Sequence, residues 1–193
     1  MERYPDTISF WRGALPHWEV VDGRYFVTLR LANSLPKHVV DELGAELKAS
    51  SKEDYLEKSR LYFAKIEQWL DKNQGVMFLE KPEISQVIVN AVRYYQDRGY
   101  WNVFKGVCMP NHVHLFFECG SHSLTRVMRG FKRYTARECN KMLERSGKSF
   151  WQKEWFDHWS RSSDEDEKIK SYICANPQRA GLIGNNEKWD WII

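Results

Sequence analysis

Several features that would tie the chain to a structural metal, a redox cycle or a membrane are missing. The four cysteines, Cys108, Cys119, Cys139 and Cys174, never fall at C-x-x-C spacing, so neither a zinc ribbon nor a thioredoxin-like motif is supported. The N-terminal MERYPDTISFWRG has no apolar core and no small-residue cleavage site. No apolar run approaches the ~18 residues of a membrane span. Internal repeats and low-complexity stretches are absent as well, and the expectation is a soluble intracellular, cytoplasmic protein. No charge of one sign dominates: 29 Lys and Arg against 26 Asp and Glu leave +3, which suits a polyanionic partner without demanding one. Ser146-Gly147-Lys148-Ser149 is not a phosphate loop, because Met142 stands where the leading glycine belongs.

What is present is length for one domain, residues 1–193, and an aromatic content of 15% with nine Trp. Such rings fill a core or stack on unpaired bases. Arg24–Leu31 alternates bulky side chains on both faces and predicts a strand buried on both sides. Helices are expected from Pro36 to Lys48 and from Lys52 to Lys72, with a polar break between them. In the second, Leu56, Phe63, Ile66 and Leu70 recur at helical spacing. Pro82 opens a third helix, with Ile84, Val87, Ile88, Ala91 and Tyr95 as its stripe and Gly99 as its end. Trp101–Met109 and His112–Cys119 read as a strand pair around Pro110-Asn111. Ser121–Leu143 reads as a long helix, and Ser146–Ser160 as an aromatic loop. Ser163 is expected to cap a last helix that ends at Asn176-Pro177, with a short strand near Leu182-Ile183. This order predicts an α+β fold, a ferredoxin-like antiparallel sheet with helices packed on it.

Four constellations carry chemistry. His112 and His114 alternate on a strand, so both imidazoles project from one face while Val113 faces away. That pattern fits two ligands of one divalent cation, and equally two histidines on a half-exposed strand. Tyr172 and Asn176 stand at i,i+4 on a helix. A phenol can attack a phosphodiester and an amide oxygen can bind a hard cation, or the pair is a core tyrosine and a helix-terminal asparagine. On the long helix, Arg126, Arg129, Arg133 and Arg137 form a basic stripe with Lys132 nearby, a phosphate-binding face or a solvated one. In the aromatic loop, Trp155 is interleaved with Lys153 and His158, a mixture that suits single-stranded DNA or a cover over one end of the sheet.

Taken together, CMPNHVHLFFE, FKRYTAREC, FWQKEWFDHWSR and YICANPQRAGLI resemble the REP-associated tyrosine transposases, relatives of the single-tyrosine HUH transposases. The resemblance covers Trp101 to Ile183, and RYFVTLRL less closely. It implies that His112 and His114 are the HUH histidines, that Tyr172 is the nucleophile and that Asn176 is the third ligand to Mg²⁺ or Mn²⁺. It further implies a single-stranded DNA substrate beside hairpin-forming repeats; whether the protein is a monomer or a homodimer stays open. Residues 33–80 depart from the family as a helical insertion without a role carried over. Tyr134 is the rival nucleophile, but Glu138 and not an amide stands four residues on. Two other readings stay open: a regulator that binds nucleic acid on this fold without cleaving, and a small-nucleotide phosphoesterase, which would want a second histidine motif that the sequence lacks.

Overall fold

The computed structural model describes residues 6–13, 15–48 and 55–193. The polar break expected at 49–54, the start of the second helix at Lys52 and the side chain of Leu56 lie outside what is described. Among the described residues the strands are β1 Thr7–Arg12, β2 Pro16–Val20, β3 Arg24–Arg30, β4 Asn102–Cys108, β5 His112–Glu118 and β6 Phe156–Trp159. The α-helices there are α1 Lys37–Lys48, α2 Tyr55–Leu70, α3 Pro82–Asp97, α4 Leu124–Met142 and α5 Ser163–Arg179. Among the described residues no helix is long and apolar enough to cross a membrane.

The main sheet is antiparallel in the order β4-β5-β3-β6. Elements β3, α3, β4, β5, α4 and β6 thus make the β-α-β-β-α-β plan expected. Period-two alternation divides the two central strands between two cores. Val27 and Leu29 of β3 join Val113, Leu115 and Phe117 of β5 under Ile84, Ile88 and Val92 of α3 and Val127, Met128 and Phe131 of α4. On the reverse face, Phe26 and Phe116 pack against Ile169 and Ile173 of α5, with Phe63 of α2 beside them. Helices therefore cover both faces. The second face of β3 is buried because α5 and α2 lie over it, through Tyr172 and Phe63 on Phe26.

Four expectations change. The aromatic loop contains β6, which pairs with β3 through Phe26↔His158 and Thr28↔Phe156. A strand near Leu182-Ile183 does not form; instead Ile192 bridges Val107 on the β4 edge. α5 continues through Pro177 to Arg179, because proline in the last turn forfeits only the bond its missing N–H would have made, and Ala180 N–H still reaches the Asn176 carbonyl at 3.0 Å. Its cap is Ser162, one residue earlier than expected, accepting from Glu165 N at 3.2 Å.

The β1–β2 hairpin has no counterpart in the sequence reading. It is fastened by buried polar contacts. Tyr25 Oη accepts from Val20 N at 2.8 Å and donates to Val20 O at 3.1 Å. Glu19 accepts from Leu124 N at 2.9 Å at the start of α4, where a negative charge is favoured. Tyr25→Phe is expected to cost about 1–3 kcal/mol, since both backbone groups of Val20 lose their partner. Urea denaturation checks this, and an unchanged midpoint would show that water replaces the hydroxyl without loss.

Candidate active site

β5 is a central strand, and it holds His112 and His114 fully buried on the α5 face while Val113 enters the opposite core. The two Nε2 atoms face each other at 3.0 Å. Each outward ring nitrogen has its own partner: His112 Nδ1 meets Asn111 Oδ1 at 2.6 Å and His114 Nδ1 meets Thr28 Oγ1 at 2.8 Å. The Asn111 amide nitrogen donates to Leu70 O at 2.8 Å and to Asn73 Oδ1 at 3.2 Å. Its oxygen is thereby committed to accepting from His112 Nδ1–H, which leaves the Nε2 lone pair pointing inward. Orientation through the second ring nitrogen is the usual arrangement around metal-binding histidines. Burial, and then His114, bring His112 down to about 3, so its ring is neutral at neutral pH.

A third group comes from α2. Glu67 Oε2 lies 3.1 Å from His114 Nε2, and Glu67, His112 and His114 each offer a ligand atom within 4.8 Å of the others. Burial disfavours the charge on Glu67, but His114, His112 and the Tyr172 hydroxyl outweigh it and hold the carboxyl at about 2. Its Oε1 is buried with no hydrogen-bond partner. A carboxylate oxygen without a partner beside two imidazoles is a donor set suited to a divalent cation. The Asn176 amide is also fully buried, and neither its nitrogen nor its oxygen has a partner.

Tyr172 of α5 donates its hydroxyl to Glu67 Oε2 in a short hydrogen bond. Its ring stands edge-on to His114, with centroids 5.6 Å apart, and packs on Phe26. Burial first, then the Glu67 charge, push the phenol well above its ordinary value, while Arg179, 3.4 Å from the hydroxyl, pulls the other way. Arg179 is itself held by Asp71 at 2.8 Å. Arg30 pairs across the sheet with His112 on the same face; burial lowers its pKa and Tyr62 supports its charge.

The structure thus brings Tyr172 to the His112–His114 pair. It also gives part of residues 33–80 a place in the site: Glu67 is near the pair, and Leu70 and Asn73 hold Asn111. Sequence reasoning missed Glu67 and Arg30. The signal for Arg30 was available, since a charge on the inward face of a buried strand is unusual; Glu67 had none beyond its place on the apolar side of α2.

The residues expected to contact DNA divide into groups. Arg126, Arg129, Arg133 and Arg137 are exposed on α4, and Lys153 is exposed in the loop before β6. Two expectations are corrected. Trp155 is 4% exposed, packed on His17 and Trp11 under the β1–β2 hairpin, where no base can reach its face. Lys132 donates to the carbonyls of Gln152 and Lys153 at 2.8 and 2.7 Å, and burial lowers its pKa to about 8, so it fastens the loop to α4. His158 is partly buried on β6 and pairs with Glu165 at 2.7 Å.

No curated protein sequence matches the chain. Its fold is similar to that of a solved structure described as a REP-associated tyrosine transposase bound to a REP hairpin, with a TM-score of 0.57 at 15% identity over 96% of this chain and 82% of that one. The family model for IS200-like transposases matches residues 69–176, which include His112, His114, Tyr172 and Asn176 and begin two residues after Glu67. That match spans more than half of the chain, and the protein belongs to the IS200-like transposase family.

Proposed function

We propose that the protein is a metal-dependent enzyme that nicks and rejoins single-stranded DNA beside hairpin-forming or palindromic repeats, with Tyr172 as nucleophile. The observation that carries this reading is the shared position of Glu67 Oε2, which accepts the Tyr172 hydroxyl and lies 3.1 Å from His114 Nε2. Nucleophile, proton acceptor and ligand pair meet at one buried point.

In this reading His112, His114 and Glu67 would hold Mg²⁺ or Mn²⁺, and the Asn176 amide oxygen, one turn from Tyr172, would be a further ligand. The cation when bound stabilises the charge that grows on the phosphate oxygens. Glu67 Oε2 takes the phenolic proton as Tyr172 Oη attacks phosphorus. The new bond is Oη–P and the broken bond is P–O3′. The 3′-oxygen leaves and takes a proton from water, and the DNA remains joined through a 5′-phosphotyrosine. Attack by another 3′-hydroxyl, which gives its proton to water, forms a new P–O3′ bond and breaks Oη–P, and Glu67 returns the phenolic proton to Tyr172. Arg179, beside the phenol, and Arg30, beside His112, offer positive charge to the same phosphate.

The test is incubation with single-stranded hairpin oligonucleotides carrying 5′ or 3′ flanks, with Mn²⁺, Mg²⁺ or EDTA. A protein–DNA adduct that survives denaturing gels and needs the metal is expected. Tight binding of the same oligonucleotides without any adduct would support a non-cleaving regulator instead.

A further inference from the structure

The basic stripe of α4 lies away from the histidines. α3 and α4 pack on the face of the sheet opposite His112 and His114, and the outer surface between these helices is a groove of about 710 Å³. Its walls include Tyr94 and Tyr100 on one side and Arg126, Arg129 and Arg133 on the other, with His122 at one end. The arginine spacing of three and four puts all three guanidinium groups on one side of α4. All three are exposed, and among the described residues none has a carboxylate within ion-pair distance, whereas Arg137 further along is paired with Glu138 at 2.7 Å. Tyr94 is 52% exposed and Tyr100 38% exposed. Gly130 keeps the groove floor low, since a Cβ there would meet the Tyr95 hydroxyl at 2.9 Å.

We infer that this groove is a second nucleic-acid site, which takes an unpaired DNA segment separate from the one being cleaved. The inference rests on the reading of the protein as a DNA-processing enzyme. Three unneutralised guanidinium groups in a row attract successive phosphates. The groove is of the size of pockets that enclose organic ligands, roughly 300–1,000 Å³, so it admits bases as well as backbone. Exposed phenol rings offer faces for stacking, which unpaired bases can use and bases inside a duplex cannot. Because the sheet separates the groove from Tyr172, a strand held here does not compete with the scissile phosphate. One substrate long enough to reach both sites would be bound with the avidity of two linked contacts.

Binding of a labelled oligothymidylate with no hairpin, followed by fluorescence anisotropy in EDTA over a range of salt, tests this without any requirement for cleavage. Arg129→Ala combined with Arg133→Ala is expected to weaken binding more than tenfold. The slope of log affinity against log salt should flatten by roughly 0.7 per lost phosphate contact. Tyr94→Ala and Tyr100→Ala should each weaken binding about tenfold with the slope unchanged. All four side chains are exposed, so the fold should persist, and thermal unfolding verifies it. Photocrosslinking of 5-iododeoxyuridine strands should label peptides carrying Tyr94 or Tyr100, in the His112→Ala protein as in the original. Unchanged affinity and slope in the arginine variant, equal binding of a blunt duplex with silent tyrosine variants, or crosslinks confined to β5 and α5 would each overturn the inference. An adduct that never forms, with these binding results intact, would instead count against the cleavage reading alone.

Discussion

Tyr172→Phe is expected to give no covalent protein–DNA adduct, whereas Tyr134→Phe still gives one. An attacking phenol must come to about 3–3.5 Å of phosphorus. The Tyr172 ring lies 5.6 Å from that of His114, and its hydroxyl is on Glu67, which itself touches His114. Tyr134 is 42% exposed on α4, the helix that packs on the other face of the sheet, and Arg137 lies over its ring at 5.7 Å. No rotation of that side chain passes through the sheet. The Phe variant keeps the packing on Phe26 and loses only the hydroxyl, so single-stranded binding should survive. Peptide mapping of the trapped adduct should find the nucleotide on the fragment containing SYICANPQR. Its recovery on the fragment containing RYTAR would overturn the assignment.

Glu67→Gln is expected to weaken Mn²⁺ binding by at least the ~10–100-fold typical of losing even an orienting partner of a metal ligand. It replaces the charged group of the Glu67, His112 and His114 set with a neutral amide of the same shape. The same change removes the acceptor of the Tyr172 proton, so adduct formation should fall further than metal occupancy explains. Titration calorimetry with Mn²⁺ in a Tyr172→Phe background separates the two roles, because the phenol is then absent. His112→Ala in that background should abolish binding, since it takes one of two imidazoles. If Glu67→Gln binds Mn²⁺ as tightly as the original, Glu67 is no ligand; a loss of adduct alone would then restrict it to the proton. The carboxylate is on α2, at a position just outside the family match. These outcomes therefore also decide whether α2 contributes to the chemistry or only covers it.

How much of the site is legible beforehand depends on which contacts are local. The His112–His114 pair follows from the two-residue period of a strand, and the Tyr172–Asn176 pair from the four-residue spacing of a helix. Both are properties of a few adjacent residues. The core of the sheet is legible for the same reason: VFKGVC and VHLFFE are rich in β-branched and aromatic residues on both sides of a tight break. β6 is not. Phe156–Trp159 carries Asp157 and His158 in four residues and is a strand only because β3 supplies its hydrogen bonds. The β1–β2 hairpin likewise depends on remote partners, His17 on Asp157 and Glu19 on the start of α4.

The sequence alone determined the antiparallel plan, the paired imidazoles and the helix that bears Tyr172 and Asn176, because periodicity records which side chains share a face. Only the tertiary structure decided what those faces meet. Glu67 lies 47 residues from His114 and 105 from Tyr172 along the chain, on a helix where its position is one more site on an amphipathic stripe. Trp155, which composition alone suggests for base stacking, is sealed under a hairpin that begins near the other end of the sequence. Contacts of that separation are selected by how the whole core closes, and no local pattern of residues encodes them.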